Sequence, residues 1–244
     1  MTTNLLILGG TTEAKALCKA VRDAGVRGVL SLAGRVKRPA EQGLPMRIGG
    51  FGGVAGLADH LRAEGVTHVV DATHPFAAQM SRNAVQACAE VGVSLLALTR
   101  QPWVAEAGDD WRHVPDIDGA VEALQGDAKR VMLAVGRMHL QAFAANPQHF
   151  YLLRLVDAPE GDLPFEDCEV VVARGPFDVD SDIALMREHR IELVVAKNAG
   201  GSGSRAKIDA ARALGLPLIM INRPALPERA EAHDVAEVMR WLGH

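Results

Sequence analysis

Short apolar runs alternate with amphipathic stretches along nearly the whole chain. Residues 4–8 form an apolar run of strand length that ends at Gly9-Gly10. Beyond it Ala14, Leu17, Cys18 and Val21 recur at helical spacing on one face, and Gly25 stops that helix. Residues 29–33 read as the next strand. A loop rich in glycine, proline and basic residues follows from Gly34 to about Gly53, with a short strand near 46–48. Residues 54–64 read as a helix, 68–71 as a strand, 76–91 as a helix and 94–98 as a strand. In the 76–91 helix Met80, Ala84, Ala87, Cys88 and Val91 share a stripe.

Arg100-Gln101-Pro102-Trp103 breaks the rhythm, and 105–112 is polar without a clear period. The pattern therefore predicts two domains, 1–99 and 100–244. In the second, strands are expected at 131–135, 150–155, 169–173, 193–196 and 218–221, with helices at 178–190, 204–214 and 235–242. Continuously apolar strands between amphipathic helices predict α/β architecture with parallel sheets covered on both faces. Two such sheets in tandem suggest a ligand cleft between the domains.

Composition narrows the class without changing the picture. At 244 residues, 48% hydrophobic and 23% charged, the chain is neither disordered nor a disulfide miniprotein. A net charge of −4 gives no general attraction to nucleic acid or anionic lipid. Cys18, Cys88 and Cys168 form no Cys-x-x-Cys pair, and the first two fall on apolar helix faces as core thiols. No stretch has the length of a membrane span, and the N-terminus lacks a basic signal region. The expected setting is cytoplasmic.

The first glycine loop, Gly9-Gly10-Thr11-Thr12, joins a strand to a helix start. Glycine lets a ligand approach the backbone, and free helix amides with threonine hydroxyls suit a phosphate. The second strand ends in Ala33-Gly34-Arg35-Val36-Lys37-Arg38, with cations where an NAD site carries a carboxylate. A guanidinium there can grip a 2′-phosphate, so the cofactor expected is NADPH, with Arg35 the first candidate ahead of Lys37 and Arg38. A solvated basic loop is the plainer alternative.

Asp71-Ala72-Thr73-His74-Pro75 runs from a strand into a helix. It places Asp71, Thr73 and His74 at the carboxyl edge of the sheet. Thr73 reads either as a cofactor contact or as a cap, and His74 either as an acid or as a structural residue. No second ligand lies at zinc spacing, so no metal is expected.

Lys197-Asn198-Ala199-Gly200-Gly201-Ser202-Gly203-Ser204 is the densest signal. Exposed amides, serine hydroxyls and the cations Lys197, Arg205 and Lys207 make an anion cradle, although the P-loop order is absent. Arg100, Arg137, Arg154 and Arg174 follow or end other strands. Together they suit a substrate with several carboxylates. No Gly-x-Ser-x-Gly elbow supports acyl transfer.

Residues 7–14, 71–77 and 196–204, with Lys207 and Asn222-Arg223-Pro224, resemble the precorrin-6A reductase family of cobalamin biosynthesis in order and spacing over essentially the whole chain. The resemblance implies two Rossmann-like parallel-sheet domains in tandem with NADPH at the cleft between them. It implies an oxidoreductase acting on a CH-CH bond, which reduces one double bond of the precorrin-6A macrocycle to give precorrin-6B. On that reading Gly9, Gly10, Thr11 and Thr12 hold the pyrophosphate and Arg35 the 2′-phosphate. Thr73, Asn198, Gly200, Gly201, Ser202 and Ser204 border the cofactor, and Arg137, Arg154 and Lys207 meet substrate carboxylates. His74 and Lys197 are the candidate proton donors, with solvent or a substrate carboxylic acid as the alternative. The expected partner is this polycarboxylate macrocycle, bound by a monomer or weak homo-oligomer, with no nucleic acid and no membrane. Competing readings are a cobalt-precorrin-6A reductase, a reductase of another polyanion, a non-catalytic NADP sensor and a methyltransferase. The cations at 35–38 weigh against the last.

Overall fold

A computed structural model describes residues 3–34, 42–159, 161–173, 175 and 177–244. The chain divides into two compact units, Met1–Gln101 with Ala225–His244, and Pro102–Pro224. In the first, β1 (Asn4–Leu8), β2 (Arg27–Leu32), β3 (Met46–Ile48), β4 (His68–Asp71) and β5 (Ser94–Leu98) alternate with α1 (Thr12–Asp23), α2 (Gly53–Ala63) and α3 (Ala78–Val91). The central strand β1 is apolar at four successive positions, Leu5 to Leu8, because both faces are covered. Leu5 and Ile7 pack against Leu17, Cys18 and Val21 of α1. Leu6 and Leu8, on the other face, pack with Leu57 and Leu61 of α2 and Ala84 and Cys88 of α3.

The second unit carries β6 (Trp111–Val114), β7 (Arg130–Ala134), β8 (Phe150–Leu155), β9 (Cys168–Val172), β10 (Leu193–Lys197) and β11 (Leu218–Ile221). Its helices are α4 (Ile117–Ala123), α5 (Leu140–Phe143), α6 (Val179–Glu188) and α7 (Ala206–Leu214). Met132, Leu152, Val194 and Met220 of its sheet pack against Met186 of α6 and Ile208 and Ala211 of α7.

The chain then returns to the first unit with β12 (Glu231–Ala232) and α8 (Val235–Trp241). Ala97 N donates to Ala230 O at 2.9 Å and Thr99 N to Ala232 O at 3.0 Å, while Val238 and Leu242 enter the core around α1. This differs from the expected second domain of 100–244. The last twenty residues belong with the first sheet, an insertion topology that a linear pass does not reveal.

Every strand pair is parallel. The first sheet runs β12-β5-β4-β1-β2-β3 and the second β6-β11-β10-β7-β8-β9. The two orders are the same in space. The first sheet takes its outer strand from the chain's end, and the second takes the equivalent strand from its own beginning. Strand order reverses between β1 and β4 and between β7 and β10, where parallel sheets open a crevice for ligands.

Among the described residues no helix is long and apolar enough to cross a membrane. Cys18 and Cys88 are buried thiols, as their helix faces predict.

Candidate functional site at the carboxyl edges of the two sheets

At the first switch point Leu8 lies beside Ser31 on one side and Asp71 on the other, and Ser31 lies beside Arg47. The two glycines after β1 serve different needs. A Cβ on Gly9 would stand 2.5 Å from Leu30 Cδ1 and 3.3 Å from Ala14 Cβ, so Gly9 permits close helix–sheet packing. Gly10 has φ +124° and open space where a side chain would be, so its backbone is approachable. Thr11 caps α1: its Oγ1 accepts Ala14 N at 3.1 Å and donates to Ala72 O at 2.8 Å. The same hydroxyl thereby ties the loop after β1 to the loop after β4. Thr12 Oγ1 donates to the Glu13 carboxylate at 3.0 Å, and Arg100 stands 3.6 Å from that carboxylate. Of the first helical turn, the Thr12 and Glu13 amides take no acceptor among the described residues.

Asp71 is buried, and its carboxylate is fully engaged. Oδ1 accepts Thr73 N at 3.1 Å and Thr73 Oγ1 at 2.7 Å. Oδ2 accepts Ser81 Oγ at 2.6 Å and Arg229 Nη1 at 2.6 Å. His74 is exposed, and its Nδ1 accepts Phe76 N at 3.2 Å. Ala77 N donates to His74 O at 2.7 Å, so residues 74–77 form a turn and the helix begins at Ala78 rather than at 76.

In the second unit the loop after β10 is fastened through its carbonyls. The Asn198 side chain clamps the Trp103 backbone, with Oδ1 accepting Trp103 N at 2.8 Å and Nδ2 donating to Trp103 O at 2.9 Å. Trp103 Nε1 donates to Gly201 O at 2.7 Å. Arg223 donates to Asn198 O at 3.0 Å and Ala199 O at 3.2 Å. Lys207 Nζ donates to Ser204 O and lies 5.2 Å from the Trp103 ring centroid. Gly200 and Gly201 are both left-handed, at φ 68° and 69°. With four loop carbonyls held this way, no amide from 200 to 204 donates to a backbone carbonyl among the described residues. Such a row of free amides is an anion seat.

A family model described as Precorrin-6x reductase CbiJ/CobK matches residues 4–243. The chain belongs to this family. It is 60% identical over 240 residues to the precorrin-6A reductase of Rhodobacter capsulatus, covering 98% of this chain and 96% of that one. It is 45% identical over 241 residues to that of Mycobacterium tuberculosis, covering 98% and 97%. The cobalt-precorrin-6A reductase of Priestia megaterium is 30% identical over 250 residues, with coverage of 98% and 97%. A solved CobK precorrin-6A reductase superposes with a TM-score of 0.95 at 59% identity, covering 99% of this chain and 96% of that one. This precorrin-6x reductase chain is thus an oxidoreductase of cobalamin biosynthesis.

Within this reductase the sequence-predicted residues have unequal placements. Gly10, Thr12, Thr73 and His74 are at the carboxyl edge of the first sheet. Gly200, Gly201, Ser202 and Ser204 are at that of the second, and Lys197 ends β10 there. Asn198 and Lys207 are buried, with their side chains turned into the fold, where they build the loop. Arg154 is paired with Asp182 and stacked 3.9 Å over Phe177, with its side chain 7% exposed. Arg137 is exposed and borders a cavity of about 160 Å³ with Leu140, Gln141 and Asp162. Arg35, Lys37, Arg38 and Arg174 lie outside the described residues. A second cavity, about 360 Å³, lies at the opposite end of the second sheet, where Arg130 opens β7 and His189 lies 3.2 Å from Glu169.

Four contributors are given no role from the sequence: Trp103 in the apparent linker, and Arg47, Arg223 and Arg229 at or after strand ends. Each acts by holding backbone carbonyls or a buried carboxylate. Only Arg223 had a signal, in the Asn222-Arg223-Pro224 match.

Proposed function

We propose that this chain reduces one double bond of precorrin-6A to give precorrin-6B, using NADPH and the metal-free macrocycle. What carries the reading is the first switch point. The strand order β3-β2-β1-β4-β5-β12 reverses beside a glycine loop whose Gly10 is open to a ligand and which leads into the Thr12 and Glu13 amides, without acceptors among the described residues. These residues fit a dinucleotide: there is room at Gly10, the first-turn amides suit a pyrophosphate, and Arg229 offsets the buried Asp71 charge at the adjoining strand. NADPH, when bound, supplies two electrons and one hydrogen to the ring, and a proton completes the reduction at the neighbouring carbon. The Gly9-Gly10-Thr11-Thr12 loop holds the pyrophosphate, with Gly9 packing the turn onto the sheet and Gly10, Thr11 and Thr12 presenting their backbone. Thr73 and His74 stand at the β4 end, on the nicotinamide half. The amides of Gly200 and Gly201 and the hydroxyls of Ser202 and Ser204 receive anionic groups of cofactor or macrocycle. Arg137 meets a substrate carboxylate.

Greater identity to precorrin-6A reductases, 45–60%, than to cobalt-precorrin-6A reductases, 28–30%, supports the metal-free substrate. The test is loss of nicotinamide absorbance when precorrin-6A or its cobalt complex is added to enzyme and NADPH. Turnover of the metal-free ring is expected, and no turnover of either sinks the reading. His74→Ala and Lys197→Ala identify a proton donor: a general acid loses roughly 10²-fold or more in turnover. A variant with unchanged turnover removes its residue from that role.

A further inference from the structure

We infer that Arg47, held in place by Ser31, is the specificity residue that takes the 2′-phosphate of NADPH. The inference rests on the dinucleotide reading of the first unit and adds a residue to it. Ser31 is the register partner of Leu8 on one side and of Arg47 on the other. Arg47 therefore stands two strands out from β1, at the carboxyl edge, on the side away from β4. In a sheet of this order that side receives the adenosine ribose.

The surroundings of Arg47 set it apart from Arg229, Arg154 and Arg212, which face carboxylates. Its Nη1 donates to Ser31 Oγ at 2.8 Å and Gly49 O at 3.0 Å, and its Nη2 donates to Gly50 O at 3.1 Å. Its guanidinium carbon lies 3.8 Å from the Phe51 ring centroid. Every one of these partners is neutral. Arg229 faces Asp71, Arg154 faces Asp182, and Arg212 faces Asp109. Arg47 has no carboxylate partner among the described residues. Burial alone holds its pKa below the usual arginine range, with no anion acting the other way. A half-buried cation without a counter-ion is electrostatically receptive to a ligand anion. Its Nε–H and one Nη2–H also take no acceptor among the described residues, and guanidinium hydrogens match phosphate oxygens well. Among the described residues there is space beside it: a Cβ on Gly49, Gly50 or Gly52 would meet none of them within 4 Å. Ser31 is buried, so its part is to position the guanidinium.

The experiment is a binding titration of NADPH, NADH, adenosine 2′,5′-bisphosphate and AMP to wild type, Arg47→Ala and Arg47→Lys. Arg47→Ala should weaken NADPH and the bisphosphate by roughly 10- to 100-fold, the loss of a charge-assisted contact. NADH and AMP should change by less than about 3-fold, which also shows that the variant is folded. Should Arg47→Ala not fold, Arg47→Lys keeps the charge but not the planar fork, and a selective loss of roughly 3- to 10-fold is expected. An unchanged NADPH-to-NADH ratio in the folded variant overturns the inference and turns attention to the cations at 35–38. Wild type that binds none of the four overturns the dinucleotide reading itself.

Discussion

The two carboxyl edges share a strand order but are built with different chemistry. At β4 the anchor is a charge, the Asp71 carboxylate, met by Thr73, Ser81 and Arg229. At β10, the strand in the corresponding place, the anchor is a neutral amide, Asn198, which pairs with the Trp103 backbone. One device recurs: a guanidinium takes two successive loop carbonyls, Gly49 and Gly50 for Arg47, Asn198 and Ala199 for Arg223. Carbonyls drawn inward leave amides facing out, so loops rich in glycine become donors rather than acceptors. The difference lies in where charge is cancelled. The first edge neutralises its buried carboxylate internally. The second needs no such balance, because its anchor carries no charge.

The sharpest break comes from removing one side of the charged anchor. Asp71→Ala removes the buried partner of Arg229, whose side chain is 8% exposed, leaves it only the half-exposed Glu231 at 3.4 Å, and takes the acceptor from Thr73 and Ser81. A loss of about 3–5 kcal/mol in unfolding free energy is expected. Arg229→Ala leaves the carboxylate three of its four donors and should cost less, about 2 kcal/mol. Urea titration of both variants checks the order, and equal losses would contradict the hub geometry. Asn198→Ala tests the neutral anchor. It leaves the buried Trp103 N–H and C=O without their amide, and about 2–4 kcal/mol is expected. Less than about 0.5 kcal/mol would mean that Trp103 is not held by this clamp.

Much of this was legible because the signal is local. The runs at β1, β5, β8 and β11 each hold at least four successive apolar residues, and their predicted limits match the structure. The strand Trp111–Val114 was hidden because it is an outer strand with only Val114 buried, so no apolar run marks it. The helix Ile117–Ala123 is short and also escaped notice. The return of β12 to the first sheet is a long-range pairing of two residues, which no local pattern encodes. In the site, the glycine loops were visible because backbone freedom leaves a residue-type signature. Arg154 reads as a substrate contact because it is a cation near a strand end, and Lys207 because it follows the glycine-serine loop. Their burial, and the Asp182 and Ser204 partners that absorb them, depend on neighbours distant in space.

The smallest expected effect separates the units by their buried acids. In the first unit burial pushes the Cys18 thiol up to about 11 and the Cys88 thiol up to about 12, from an ordinary value of 9.0. In the second, burial pushes the Tyr151 hydroxyl up to about 12 from 10.0. Each group stays protonated in the fold while its unfolded counterpart ionises. The folded chain therefore binds more protons above the unfolded value, and stability falls as pH rises. The thiol contribution is intact below pH 9.0 and drains away toward about 11 and about 12. The tyrosine contribution starts to drain only above pH 10.0. Thermal melting across this range should show a decline that begins with the thiols. A Cys18→Ala, Cys88→Ala double variant should make the decline above pH 9.0 shallower, leaving Tyr151 and the Cys168 thiol, which burial and the nearby Asp167 also push up. A wild-type curve that the double variant reproduces would show that the first unit's thiols are not buried as the helix stripe implies.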